Sequence, residues 1–161
     1  MKTCVFAGSF DPVTLGHIEV VGKGLATFDK VIIAVGTNDQ KTPAFTVDER
    51  VMLIKKAFDG YVGVEVCAFS GLVVDFMKSR GVNHYIRGIR GDGDLKFELL
   101  AEKFNREHYP ELVTLFIPTV GQLNGVSSTK VKELLKSGAD LAGLVPENII
   151  EDLKILYSKK R

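Results

Sequence analysis

Disulfides do not hold this fold together. The 161 residues include two cysteines, Cys4 and Cys67, in no CxxC pair and at no metal-ligand spacing. Each lies in an apolar run, which reads as a buried thiol in a reducing compartment. An excess of one charge is also missing. Lys plus Arg number 21 against 20 Asp plus Glu, a net charge of +1. That balance excludes a general duplex-DNA binder, which needs a basic stripe, but leaves room for a small anion held by a few local cations. No apolar run approaches the ~20 residues of a membrane span. The first apolar stretch stops at Asp11, too short for a secretory signal core. There is no GxxxxGK[ST] loop, and Gly22-Lys23-Gly24 lacks the third glycine of a dinucleotide fingerprint. No repeat or Pro/Ser-rich linker divides the chain, so residues 1–161 read as one soluble, cytoplasmic domain. A domain of this length buries about two-thirds of its unfolded surface without a staple.

What is present is an alternation of short Val/Ile-rich runs with longer stretches of helical period. Strands are expected at Thr3–Ala7, Lys30–Gly36, Val62–Phe69, His84–Arg87 and Val113–Pro118. Helices are expected at Gly16–Phe28, Val47–Phe58, Leu72–Arg80, Asp94–Glu107, Ser127–Lys136 and Glu147–Ser158. Ile18, Val21, Leu25 and Phe28 mark the buried face of the first helix; Val47, Val51, Ile54 and Phe58 mark that of the second. Thr46, with Glu49 three residues on, suits a capping box. Such alternation gives a parallel sheet covered on both faces, with ligands beyond the carboxyl ends of its strands.

The first strand-to-helix loop reads Gly8-Ser9-Phe10-Asp11-Pro12-Val13-Thr14-Leu15-Gly16-His17. Gly8 suits a sharp turn, Gly16 a close approach to ligand, and the helix start an anion. His17 there is placed to donate to a phosphoryl oxygen, or is incidental to a Pro-containing turn. Lys41 follows a strand in a polar loop, either solvated or delivering a point charge to a phosphate. Arg87 and Arg90 bracket Gly88 at the end of the fourth strand, as surface pairs or as phosphate clamps. Ser127-Ser128-Thr129 precedes a helix that it caps, and three hydroxyls there also suit a triphosphate. Glu98 lies in a charged helix and by itself reads as solvated; His84 and His108 read as structural or exposed.

Thr14-Leu15-Gly16-His17 resembles the (H/T)xGH signature of the nucleotidyltransferase superfamily. Within it, the Gly-Ser-Phe-Asp-Pro-x-Thr-x-Gly-His string resembles the bacterial phosphopantetheine adenylyltransferases. Lys41-Thr42-Pro43-Ala44-Phe45 with Glu49-Arg50, Ile86 to Arg90, Phe97-Glu98, Asn105-Arg106, Val126 to Thr129 and Leu144-Val145-Pro146 agree in order and spacing. The resemblance covers essentially the whole chain.

It implies a Rossmann-like, doubly wound, five-stranded parallel α/β sheet with helices on both faces. His17 and Lys41 are implied as catalytic. The ATP-contacting positions are implied to be Ser9, Phe10, His17, Gly88, Ile89, Arg90, Glu98 and the run Leu123, Asn124, Gly125, Val126, Ser127, Ser128 and Thr129. Ser9, Lys41, Val73 and Arg87 fall on the 4′-phosphopantetheine side, and Leu72 and Phe76 are expected to extend an apolar wall beside Val73. Mg²⁺ is expected to ride on substrate phosphates with no protein metal ligands. A homohexamer, inhibition by coenzyme A, and no nucleic-acid or membrane partner complete the implied picture. Ala7 stands where the family commonly has proline, and Gly91-Asp92-Gly93-Asp94 replaces a less acidic, less glycine-rich stretch, expected to loosen the backbone there. Gln122-Leu123-Asn124-Gly125 lacks the aromatic residues of many relatives. Relatives that adenylate nicotinate mononucleotide or activate glycerol 3-phosphate with CTP, and a non-catalytic nucleotide sensor, stay open as alternatives at this point.

Overall fold

The computed structural model describes residues 1–37, 42–119 and 121–160, with the side chains of Gln122 and Asn124 outside the description. The Val/Ile-rich runs form the strands β1 (Thr3–Gly8), β2 (Lys30–Thr37), β3 (Val64–Ser70), β4 (His84–Ile89) and β5 (Val113–Pro118). They make one sheet in the order β3-β2-β1-β4-β5, every pair parallel. Between and after them run α1 (Leu15–Leu25), α2 (Val47–Ala57), α3 (Val73–Ser79), α4 (Asp92–His108), α5 (Ser128–Ser137) and α6 (Ile150–Ser158). Among the described residues no helix is long and apolar enough to cross a membrane. The chain winds one way from β1 to β3, then returns to lay β4 on the other side of β1. This order is the doubly wound one expected, and its switch point is the β1–β4 seam.

Helices cover both faces because the strands are apolar on both. One face packs Cys4, Phe6, Val31, Ile33 and Ile86 against apolar residues of α1, α2, α5 and α6. The other packs Val5, Ala7, Ile32, Ala34 and Tyr85 against Val74 and Met77 of α3. None of the residues of α4 is buried.

Several local expectations shift. Strand β3 begins at Val64 and not Val62, because Gly63 takes φ +83° and turns the chain, leaving Val62 92% exposed. Of the expected α2 face, Ile54 is buried, Phe58 is buried just beyond the helix end and Val51 packs partly buried against the core, while the helix also buries Arg50, Leu53 and Ala57; Thr46 and Glu49 form the capping box as read. Helix α1 buries Val20 and Val21 and ends before Phe28, which is buried beyond it. Glu147–Ile149 is a 3-10 turn leading into α6. Cys4 is buried as expected, whereas Cys67 is only half-buried, because its strand lies at the sheet edge.

Candidate active site

Strands β1 and β4 are paired at Cys4 with His84 and Val5 with Tyr85, the N-terminal part of each strand. Beyond those pairs a cavity of about 330 Å³ opens at their carboxyl ends. It gathers Ser9 and His17 from the β1–α1 loop and helix start, Arg87, Gly88 and Arg90 from the end of β4, and Ser127, Ser128 and Thr129 from the start of α5. Phe10, Glu98 and Val126 also line it. Eleven expected site residues, scattered over more than a hundred positions of sequence, thus share one cleft.

The tight turn of the β1–α1 loop is at Phe10, with φ +47°, and not at Gly8. The Phe10 ring fills the space beside Gly8, whose Cβ would come within 3.3 Å of it. That ring packs edge-on to Phe6, centroids 5.2 Å apart, and to His17, 4.9 Å apart. Phe10 is therefore core and cleft wall together, with its ring edge-on to the His17 imidazole.

Thr14 is the N-cap of α1, and His17 is the third residue of the helix. The Thr14 backbone N–H donates to His17 Nδ1 at 2.9 Å. A backbone amide can only donate, so Nδ1 is the acceptor and the neutral ring carries its proton on Nε2. Burial, then the positive charges of Arg90 and Arg87, lower the His17 pKa to about 4. Near neutral pH the residue is an uncharged donor beside two guanidinium groups, suited to negative charge on a phosphoryl oxygen.

Arg87 is nearly saturated. Its Nε and Nη2 donate to the two Glu98 carboxylate oxygens at 2.7 and 2.6 Å. Its Nη1 donates to the Ala7 carbonyl at 2.6 Å and the Tyr85 hydroxyl at 3.0 Å. The guanidinium thus stitches the open end of the β1–β4 seam and ties α4 to it. These bonds raise the Arg87 pKa further, overcoming the opposing effect of burial. Glu98, solvated by sequence reasoning, is instead half of a bidentate ion pair.

Arg90 donates through Nε and its backbone N–H to Asp94, at 3.0 and 3.1 Å. The glycine- and aspartate-rich stretch opens α4: Asp92 and Asp94 sit in its first turn, where carboxylates offset the helix dipole. Ser127 caps α5, its hydroxyl accepting from Lys130 N–H at 3.1 Å, and the Ser128 hydroxyl donates to the Pro12 carbonyl at 2.8 Å. The serine run therefore anchors the β1–α1 loop as well as facing the cleft.

Not every expected residue lines it. Leu123 and Gly125 lie in a 3-10 turn, Gly121–Gly125, whose Asn124 side chain is outside the described residues. The Ile89 carbonyl accepts from both the N–H and the hydroxyl of Thr119. Lys41 lies outside the described residues. Val73 lines a second cavity of about 230 Å³ with Tyr85, Asn105 and Thr114, and Arg87 and Glu98 line both cavities. Leu72 and Phe76 do not join it; the Phe76 ring packs on Phe69 with centroids 5.2 Å apart. Thr119, on the wall of the first cavity, was missed; its place directly after β5, at the carboxyl edge of the sheet, was the available signal.

Among the described residues no cluster of three or more His, Cys, Asp or Glu is placed to hold a metal ion.

Comparison with known proteins matches residues 5–134 to the cytidylyltransferase-like family. The phosphopantetheine adenylyltransferase of Anaeromyxobacter sp. (strain K) is 39% identical over 153 residues, 95% of this chain and 93% of that protein. The phosphopantetheine adenylyltransferase of Clostridium botulinum (strain Eklund 17B / Type B) is also 39% identical over 153 residues, 95% of this chain and 96% of that one. Among solved structures, a Vibrio parahaemolyticus protein provisionally named a nicotinate-nucleotide adenylyltransferase superposes with a TM-score of 0.72 at 18% identity, over 95% of this chain and 99% of that one. At that identity the likeness speaks for the fold.

Proposed function

The chain belongs to the cytidylyltransferase-like family, among the phosphopantetheine adenylyltransferases, and from that premise we propose that it transfers AMP from ATP to 4′-phosphopantetheine, giving dephospho-coenzyme A and pyrophosphate. The observation that carries the assignment is the convergence of a neutral His17 Nε2–H donor, Arg87, Arg90 and the Ser127–Thr129 hydroxyls on one cleft at the switch point. An oxygen of the acceptor phosphate attacks the α-phosphorus of ATP in line, the bond from that phosphorus to the β-phosphate bridging oxygen breaks, and pyrophosphate departs. No covalent enzyme intermediate is formed. Catalysis is positioning and charge stabilisation, with His17 donating to an α-phosphate oxygen.

Ser9, Arg90 and the Phe10 and Val126 walls suit the nucleotide. We assign Lys41, Val73 and Arg87 to the acceptor, and Gly88, Ile89, Glu98 and the Leu123–Thr129 run to ATP. The second cavity suits the pantetheine arm, with apolar surface at Val73 and Ala101. Among the described residues the Thr114 hydroxyl on its wall is buried without a partner, and a pantetheine amide would supply one. Because Arg87 and Glu98 line both cavities, the two substrates meet across them.

The cleft offers hydroxyls, cations and one carboxylate already bound to Arg87. That donor set fits Mg²⁺ carried by substrate phosphates and water, where it would neutralise phosphate charge. Coenzyme A contains the pantetheine arm joined to an adenylyl group, so it suits both cavities as an inhibitor. A homohexamer is supported by exposed apolar residues on α4, and a cytoplasmic setting by free Cys4 and Cys67.

The test is an acceptor panel with ATP and mass detection of the product. Phosphopantetheine should give dephospho-coenzyme A, and unphosphorylated pantetheine, lacking the attacking phosphate, should give none. Faster adenylation of nicotinate mononucleotide at matched concentration would overturn the substrate assignment and leave the reaction class standing.

A further inference from the structure

The buried stripe of α2 contains a charge. Arg50 is 2% exposed and follows the same helical face as Leu53, Ile54 and Ala57. Its Nε donates to the Phe45 carbonyl at 3.1 Å, and its Nη1 donates to the carbonyls of Ser9, at 2.7 Å, and Gly36, at 3.1 Å. One guanidinium thus joins three segments: the start of the β1–α1 loop, the end of β2 and the approach to α2. Asp11, 5% exposed, completes the arrangement from the other side. Its two carboxylate oxygens accept from the Ala44 and Phe45 N–H groups, each at 2.9 Å, and Lys132 of α5 reaches one of them at 3.3 Å.

This arrangement is costly if stability is its only purpose. A buried ionic group is commonly replaced by packed apolar residues at no loss of stability. What apolar residues cannot do is fix three carbonyls at once in a set geometry; a planar five-donor fork can, and a lysine cannot span them. Ser9 and Asp11, the two anchored residues, enclose Phe10 and lead into the loop that ends at His17. Both flanks of the cleft's first wall are therefore held to α2 and to the segment 44–45.

We propose that Arg50 and Asp11 form a buried brace that positions Ser9 and the β1–α1 loop for phosphoryl transfer, making Arg50 a positioning residue of the reaction. The inference rests on the function proposed above. Release of the brace lets the Ser9 end of the loop move, and a misplacement of about 1 Å in such a reaction costs on the order of a hundredfold in rate.

The experiment compares wild type with Arg50→Lys, Asp11→Asn and Ile54→Val, the last a packing control on the same helix. Each is melted, then assayed for kcat and KM with ATP and phosphopantetheine well below its melting midpoint. Arg50→Lys and Asp11→Asn should lower kcat at least about tenfold while both KM values stay within about threefold, as loss of alignment with retained binding requires. Ile54→Val should lower the midpoint and keep kcat. A kcat of Arg50→Lys equal to that of the control overturns the proposal, as does failure of both brace variants to melt cooperatively, which would assign the pair to stability alone. A wild type that makes no dephospho-coenzyme A instead overturns the functional reading, and the brace's role with it; a normal wild-type rate with unchanged variants fails the brace only.

Discussion

His17 is held neutral by its surroundings, and this has consequences for rate and for stability. In the cleft its Nε2–H is a preorganised donor, so His17→Ala should lower turnover by roughly 10²–10³, about 3–4 kcal/mol, with the fold retained. Near wild-type turnover in a folded His17→Ala protein would remove the residue from the mechanism. Its pKa is about 4 in the fold against 6.5 for the free side chain, so the unfolded chain binds the proton more readily. Stability from this group is therefore complete above pH 6.5 and is lost as pH falls towards 4. Across that window wild type should lose about 3 kcal/mol relative to His17→Ala. Urea midpoints of the two proteins at several pH values measure it, and parallel curves would mean that His17 is not held neutral.

At the scale of elements, α4 is the unusual one. The other α-helices each bury apolar side chains, whereas α4 buries none and leaves Phe97 75% and Leu100 62% exposed. Glu98 ties it to Arg87 of β4, and Asp94 pairs with Arg90 just beyond that strand. A helix docked by charge on one side and carrying apolar residues on the other opens locally more easily than a core helix. Glu98→Gln removes one half of the bidentate pair. Its α4 amides should then exchange with solvent roughly ten- to a hundredfold faster, the effect of losing a charged hydrogen bond of about 1.5–3 kcal/mol, while α2 keeps its protection. Unchanged exchange in α4 would show that the ion pair does not dock the helix.

At the scale of the whole molecule, those exposed side chains bear on assembly. Phe97, Leu100 and Phe104 form an apolar patch on a chain that carries almost no net charge, a surface suited to contact with further copies. Sedimentation should give a mass about six times the 17.7 kDa of one chain, consistent with the proposed hexamer. Leu100→Glu should shift the protein to smaller species by burying a carboxylate in any such contact. A wild-type monomer at micromolar concentration would overturn the oligomer.

The sheet, its winding and most element positions were legible in sequence, because strands buried on both faces read as continuous Val/Ile runs such as Val31–Val35 and helices as periodic ones. The cleft residues were legible through the Thr14–His17 motif and the resemblance around it. Local pattern misplaced what depends on neighbours. Gly63, by its positive φ, started β3 late, and the turn expected at Gly8 falls at Phe10, whose ring occupies the space beside that glycine. Phe76 left the expected acceptor wall for Phe69. The Arg50 charge in the stripe of Leu53, Ile54 and Ala57 was the visible sign of the brace, yet its partners at Ser9, Gly36 and Phe45 come from separate segments. The pairing of Arg87 with Glu98 and the neutrality of His17 were likewise decided by tertiary structure. Hydrogen-bond partners and pKa values depend on distance and burial, and only packing β4 against α4 and the two arginines beside His17 sets those.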